Sequence, residues 1–272
     1  MREGGDWLSG VPDHGTPLLA LRGIEKRFGA VNALAGVDFD VRAGEVVALA
    51  GDNGAGKSTL VKVITGVGPA DAGDVAFDGE PVRIGTPHDA AALGIAAVYQ
   101  DLALCDNLDV VANLFLGHEA RRGGRRGPLD GVAMEQRAGT LLASLSIGGL
   151  DDVRREVGTM SGGQRQSVAI TRALLGEARL VVLDEPTAAL GVVQTEQVLA
   201  LVRRLRDRGL GVVLVSHNLA DVFAVADRIT VLRLGRNAGT FPADAARRSE
   251  VVAAITGVSG DLTPVAAREV RG

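Results

Sequence analysis

The stretch Gly51-Asp52-Asn53-Gly54-Ala55-Gly56-Lys57-Ser58-Thr59 fits the pattern G-x-x-x-x-G-K-[ST]. The residue types suit one task, holding phosphates. Glycines let the backbone curl until successive N–H groups point at an anion. A helix that follows adds unpaired N–H groups and the positive end of its dipole. Lys57 is placed to reach the β- and γ-phosphates of a nucleotide. The Ser58 hydroxyl is placed to bind Mg²⁺, a hard cation that prefers oxygen. The bland alternative is a Gly-rich turn that matches by accident. The apolar run at 46–50 before the loop and the apolar-periodic segment after it favour the phosphate reading.

Four further stretches complete the chemistry. The apolar run 180–183 ends in Asp184-Glu185. In open α/β sheets, sites form at the carboxyl ends of strands. There Asp184 would hold Mg²⁺ and Glu185 would orient or deprotonate an attacking water. The competing reading is a pair of acids that caps the next helix. Gln100 ends its own strand; its amide can ligate Mg²⁺ and hydrogen-bond the water, though alone it carries no signal. His217 follows the run 212–215, where an imidazole can donate to a γ-phosphate oxygen and steady Glu185. A structural histidine is the alternative. Ser161-Gly162-Gly163-Gln164 opens a helical segment and makes a second anion site. It cannot easily share the first loop's anion within one chain, which points to a composite site across two copies. Phe28 is open between core packing and a ring on which a purine stacks.

These residues need strands to position them. Strand patterns occupy 18–24, 33–41, 46–50, 74–78, 95–99, 180–183, 212–215 and 229–234. Helical patterns follow the phosphate loop and Thr86-Pro87-His88-Asp89, and cover 108–116, 132–145, 164–175, 194–207, 218–226 and 249–255. Short apolar strands alternating with helices predict an α/β fold, a mainly parallel sheet with helices on both faces. A helical subdomain is expected at about 101–176, inside one unit at 18–241. Residues 1–17, with Trp7, read as a tail, and 242–272 as one helix and a weakly patterned end.

Composition excludes several classes. Apolar residues make up 46% of the chain but aromatics only 3%, so the core must be aliphatic. A net charge of −4 argues against a broad basic face for nucleic acid, and the Arg121–Arg126 run reads as a solvated loop. Cys105 is the one cysteine and cannot pair within the chain, which fits a reducing compartment. No apolar run reaches the ~20 residues of a membrane helix, and 1–16 lacks the apolar core of a leader.

Gly51 to Ser58, Gln100, Ser161-Gly162-Gly163-Gln164 and Asp184-Glu185-Pro186-Thr187, followed by His217, occur in the order seen in the ATP-binding subunit of an ABC transporter, which the chain resembles over about 18–240. The resemblance implies a P-loop NTPase fold of ABC type, with an N-terminal antiparallel β part and an inserted helical subdomain. It implies ATP and Mg²⁺ as cofactors and a head-to-tail homodimer, each ATP lying between Lys57 of one copy and Ser161 to Gln164 of the other. It matches Phe28 to the aromatic that stacks on adenine. It implies permease subunits as partners, a sugar-binding protein as an indirect one, and a cytoplasmic place on the inner face of the membrane. Pro186 to Val192 and Val98 to Leu104 resemble the branch that imports ribose, xylose or fructose. ATPases for other solutes or for export, or a soluble non-transport ABC ATPase, are the alternatives. Two departures stand out: Met160 replaces the usual Leu before Ser161, and Gly191 stands where most members carry an Asp that contacts the other subunit.

Overall fold

The computed structural model describes residues 16–257, apart from 124–125, 146, 148–149 and 151. Most of the expected tail at 1–17, with Trp7, and the end of the 242–272 segment lie outside the described residues.

In chain order the first half holds β1 (Leu19–Phe28), β2 (Val31–Val41), β3 (Val46–Ala50), α1 (Lys57–Ile64), β4 (Ala72–Phe77), β5 (Glu80–Pro81), α2 (Pro87–Ala92), β6 (Ile95–Val98), α3 (Val110–Phe115) and α4 (Gly131–Ser144). The second half holds α5 (Gly162–Ala173), β7 (Leu180–Asp184), α6 (Val192–Asp207), β8 (Gly211–Val215), α7 (Leu219–Val225), β9 (Arg228–Arg233), β10 (Arg236–Pro242) and α8 (Arg248–Thr256).

Two sheets result. An antiparallel one has the order β2-β1-β4-β5, and a larger one the order β10-β9-β3-β8-β7-β6. From β9 to β6 every pairing in the larger sheet is parallel; only β10 runs against its neighbour β9. β3 explains why this sheet is parallel. All five of its residues are buried, so both faces must be covered, which parallel sheets with flanking helices provide. Val47 and Leu49 join the core that α1 shares with β1 and β2, through Leu60, Val61, Val63 and Ile64. Val46 faces the core of α6, and Ala48 and Ala50 face that of α7 and α8.

Because β3, β6, β7 and β8 are parallel, their carboxyl ends lie along one edge. The phosphate loop, Gln100, Asp184-Glu185 and His217 all follow those ends. Helices α3 and α4 build a separate core with Val168 of α5, to which Met160 contributes its buried side chain.

Two local readings shift and one holds. β1 continues through Phe28, where sequence pattern ends it at 24. β10 has no apolar alternation and no matching strand expectation; it is an exposed edge strand held by pairing with β9. The Thr86 start of α2 is as its sequence predicts: Asp89 N–H donates to Thr86 Oγ1 at 3.3 Å and Thr86 N–H donates to Asp89 Oδ2 at 2.8 Å.

Candidate functional site

The phosphate loop turns between β3 and α1. Gly51 has φ of 152°, and a Cβ there would lie 2.3 Å from the Leu232 carbonyl oxygen, so only glycine fits. Gly56 precedes α1 in the left-handed region, and no side chain caps the helix start. Its first turn also holds no acid, so no first-turn carboxylate competes there with an anion. The Lys57 ammonium folds over the loop and donates to the carbonyls of Gly51 (2.8 Å) and Asp52 (3.0 Å). A cation therefore sits above the ring of Asp52 to Gly56.

Across the sheet edge stand the two acids. Asp184 is half-buried, and burial together with the Glu185 charge raises its pKa, an effect that Lys57 opposes. Glu185 has φ of 51°, the left-handed region that costs a non-glycine residue about 1–3 kcal/mol. Its peptide is held there by the N–H it donates to the Val215 carbonyl at 2.9 Å. The carboxylate is nearly covered, and His217 grips it twice. The His217 backbone N–H donates to Oε1 at 3.1 Å, and Nδ1 lies 2.8 Å from Oε2. With its proton on Nδ1, the exposed ring leaves Nε2 facing outward as an acceptor when neutral, and as a donor only when protonated. The expected contact between His217 and Glu185 is thus present.

Gln100 lies on the same edge and is exposed. Ser58, Gln100 and Asp184 offer a hydroxyl, an amide and a carboxylate. That hard-oxygen set fits Mg²⁺, and the raised pKa of Asp184 marks a carboxylate that a divalent charge would stabilise. Among the described residues no three His, Cys, Asp or Glu side chains gather as a metal cage. Phe28 is 53% exposed at the end of β1, so the core-packing alternative does not hold; the Lys26 ammonium lies 5.8 Å from its ring centroid.

The second anion motif is built differently. Ser161 caps α5: Gln164 N–H donates to Ser161 Oγ at 3.3 Å, and Ser161 N–H donates to Gln164 Oε1 at 3.1 Å. A Cβ on Gly163 would stand 2.8 Å from the Gln194 Cβ, so this glycine lets α5 close on α6. The motif thus packs on the segment after β7.

An ABC transporter family model matches residues 34–188, over half of the chain. The chain belongs to the ABC transporter family. This ABC chain is 44% identical to a fructose import ATP-binding protein of Rhizobium meliloti, over 89% of its own length and 94% of that relative. It is 47% identical to a xylose/arabinose import ATP-binding protein of Sulfolobus acidocaldarius, covering 80% and 86%. A ribose import ATP-binding protein of Rubrobacter xylanophilus is 47% identical across 89% of this chain, which spans only 46% of that longer relative. Among solved structures, the ADP conformation of an ATP-binding cassette of an ABC transporter superposes with a TM-score of 0.77 at 28% identity, covering 89% and 100%. A dimeric post-hydrolysis cassette bound to ADP and Pi gives 0.68 at 25%, covering 84% and 99%.

Two contacts of the ABC site have no sequence signal. Thr187 Oγ1 donates to the buried Asp221 carboxylate at 2.6 Å, tying the chain after Glu185 to α7. Tyr99 donates to Thr65 Oγ1 at 2.9 Å, joining the end of β6 to that of α1. Both join residues distant in sequence, where no local pattern reaches.

Proposed function

We propose that this chain is the ATP-hydrolysing subunit of an ABC importer that energises uptake of a simple sugar through partner permease subunits. The observation that carries the hydrolytic reading is Glu185, nearly buried at the carboxyl edge beside the phosphate loop and held twice by His217. The names of the relatives, which import fructose, xylose or arabinose, and ribose, support the sugar.

In this reading Lys57 and the loop N–H groups bind the β- and γ-phosphates, and Phe28 stacks on adenine. Glu185 accepts a proton from the attacking water while His217 fixes its carboxylate. Ser58, Gln100 and Asp184 are the donors for Mg²⁺, which when bound supplies positive charge to the phosphate oxygens. Ser161 to Gln164 of a second copy, placed head to tail, close the site. The dimeric cassette among the structural neighbours supports that arrangement. A cleft of about 950 Å³ between β6, α2 and the end of α3, lined by Tyr99, Asp101, Leu116 and His118, receives a permease segment. No described helix is long and apolar enough to cross a membrane, and the chain sits on the inner face through that permease. A sugar-binding protein acts indirectly, by loading the permease.

The test is Glu185→Gln. It is expected to bind ATP, to lose about 100-fold or more in turnover, and to accumulate an ATP-bound dimer on size exclusion. Near-normal turnover would overturn the role of Glu185. Stimulation of the ATPase by sugar-loaded binding protein, in vesicles holding the permease, tests the sugar.

A further inference from the structure

The chain between Gln100 and α3 is gripped from α5. Arg172 donates from Nη1 to the Ala103 carbonyl and from Nη2 to the Leu102 carbonyl, both at 2.8 Å. Arg165, two turns earlier on the same helix, pairs with Asp106. Asn113 of α3, fully buried, accepts from Cys105 N–H at 2.7 Å and donates to the Cys105 carbonyl at 2.9 Å. Ala103 has φ of 47°, a left-handed conformation that an alanine does not choose unaided. The segment directly after Gln100 is therefore held in a strained shape by side chains of the helical part.

Arg172 is the unusual member. It is half-buried, burial lowers its pKa, and among the described residues no carboxylate pairs with it. A guanidinium kept in such a place with only carbonyl partners is costly unless its planar fork is needed. The fork here spans two consecutive carbonyls.

We propose that Arg172 is a positioning residue for Gln100, fixing residues 101–103 and with them the place of the Gln100 amide on the carboxyl edge. The proposal rests on Gln100 as a donor to Mg²⁺.

The test measures ATP affinity of the full chain by calorimetry, in EDTA and across a Mg²⁺ titration, for Arg172→Met, Gln100→Ala and the double variant. Arg172→Met is expected to keep its affinity in EDTA and to raise the half-saturating Mg²⁺ by about 10-fold, the scale seen when a group supporting a metal ligand is lost. The double variant is expected to match Gln100→Ala alone, because Arg172 acts through Gln100. Additive losses, or an unchanged Mg²⁺ dependence in Arg172→Met, would overturn the positioning role. An unchanged Mg²⁺ dependence in Gln100→Ala would instead remove the metal role beneath it. If Arg172→Met does not fold, Arg172→Lys takes its place in the cycle; it keeps charge and stem but cannot span both carbonyls.

Discussion

Helices α1 and α5 both start where sequence places an anion site, yet one start is open and the other is closed. Gly56 leaves the first turn of α1 without a side-chain acceptor, and Lys57 adds a cation above it. Ser161 and Gln164 bond to each other across the first turn of α5. An anion at α1 meets first-turn N–H groups that no side chain caps. An anion at Ser161 competes with a capping box, worth about 1 kcal/mol. On the proposed function, that contrast ranks the sites: the loop would bind first, and the Ser161 end would bind only when a second copy brings a phosphate already held.

Lys57→Ala is the largest expected break in this contrast. Truncating one partner of a close charge pair costs about 2–5 kcal/mol, so ATP affinity should fall by about two orders of magnitude or more. Titration calorimetry reads it directly, and unchanged affinity would remove the open half. Ser161→Ala should act elsewhere. The loss of the cap lowers folding stability by about 1 kcal/mol, and ATP-driven dimerisation weakens, while ATP binding by the monomer is untouched. If monomer binding fell as far as in Lys57→Ala, the two starts would not differ in kind.

The contrast extends to charge. Asp184 at the open site is a half-buried carboxylate whose charged form is disfavoured by burial and by Glu185. That setting opposes the charge, so Asp184→Asn should raise the melting temperature of the nucleotide-free chain. Its remaining exposure screens the effect, and a rise of about 1–2 °C is expected for a chain of this size. The same variant should lose Mg²⁺-dependent tightening of ATP. A lower melting temperature would mean that Asp184 is stabilised by its setting rather than strained by it.

How much of this is legible in sequence depends on how local the cause is. The run Val46–Ala50, the loop behind it and the cap at Thr86 are local, and composition alone specifies them. The common edge that gathers Gln100, Glu185 and His217 follows from parallel pairing, which short apolar strands imply. β10 escapes because its residue types do not alternate between apolar and polar; its bonds to β9 make it a strand. The grip of Arg172 on Leu102 and Ala103 joins residues far apart in sequence, and carbonyls carry no residue-type signal. The closing of Ser161 by Gln164 could be read in advance, since Ser-x-x-Gln is the capping-box pattern itself.

The finest test of open against closed starts is α6. Gly191 caps this helix with φ of −74° and ψ of 166°, extended backbone that any residue adopts, and no side chain bonds the first turn. Aspartate is among the best residues there, both as an acceptor and for the helix dipole. A Cβ at Gly191 would meet only the Gln194 amide, with Oε1 at 2.5 Å, the far end of a flexible side chain. Gly191→Asp should therefore swing that amide aside and stabilise the chain by a few tenths of a kcal/mol, about 1 °C in melting temperature. The Gln194 Cβ, which packs on Gly163, need not move. A fall in melting temperature would show that the amide cannot turn. Gln194 would then be a fixed wedge between the α6 start and the Ser161 end of α5, and Gly191 would be required by packing rather than by its distance from a second copy.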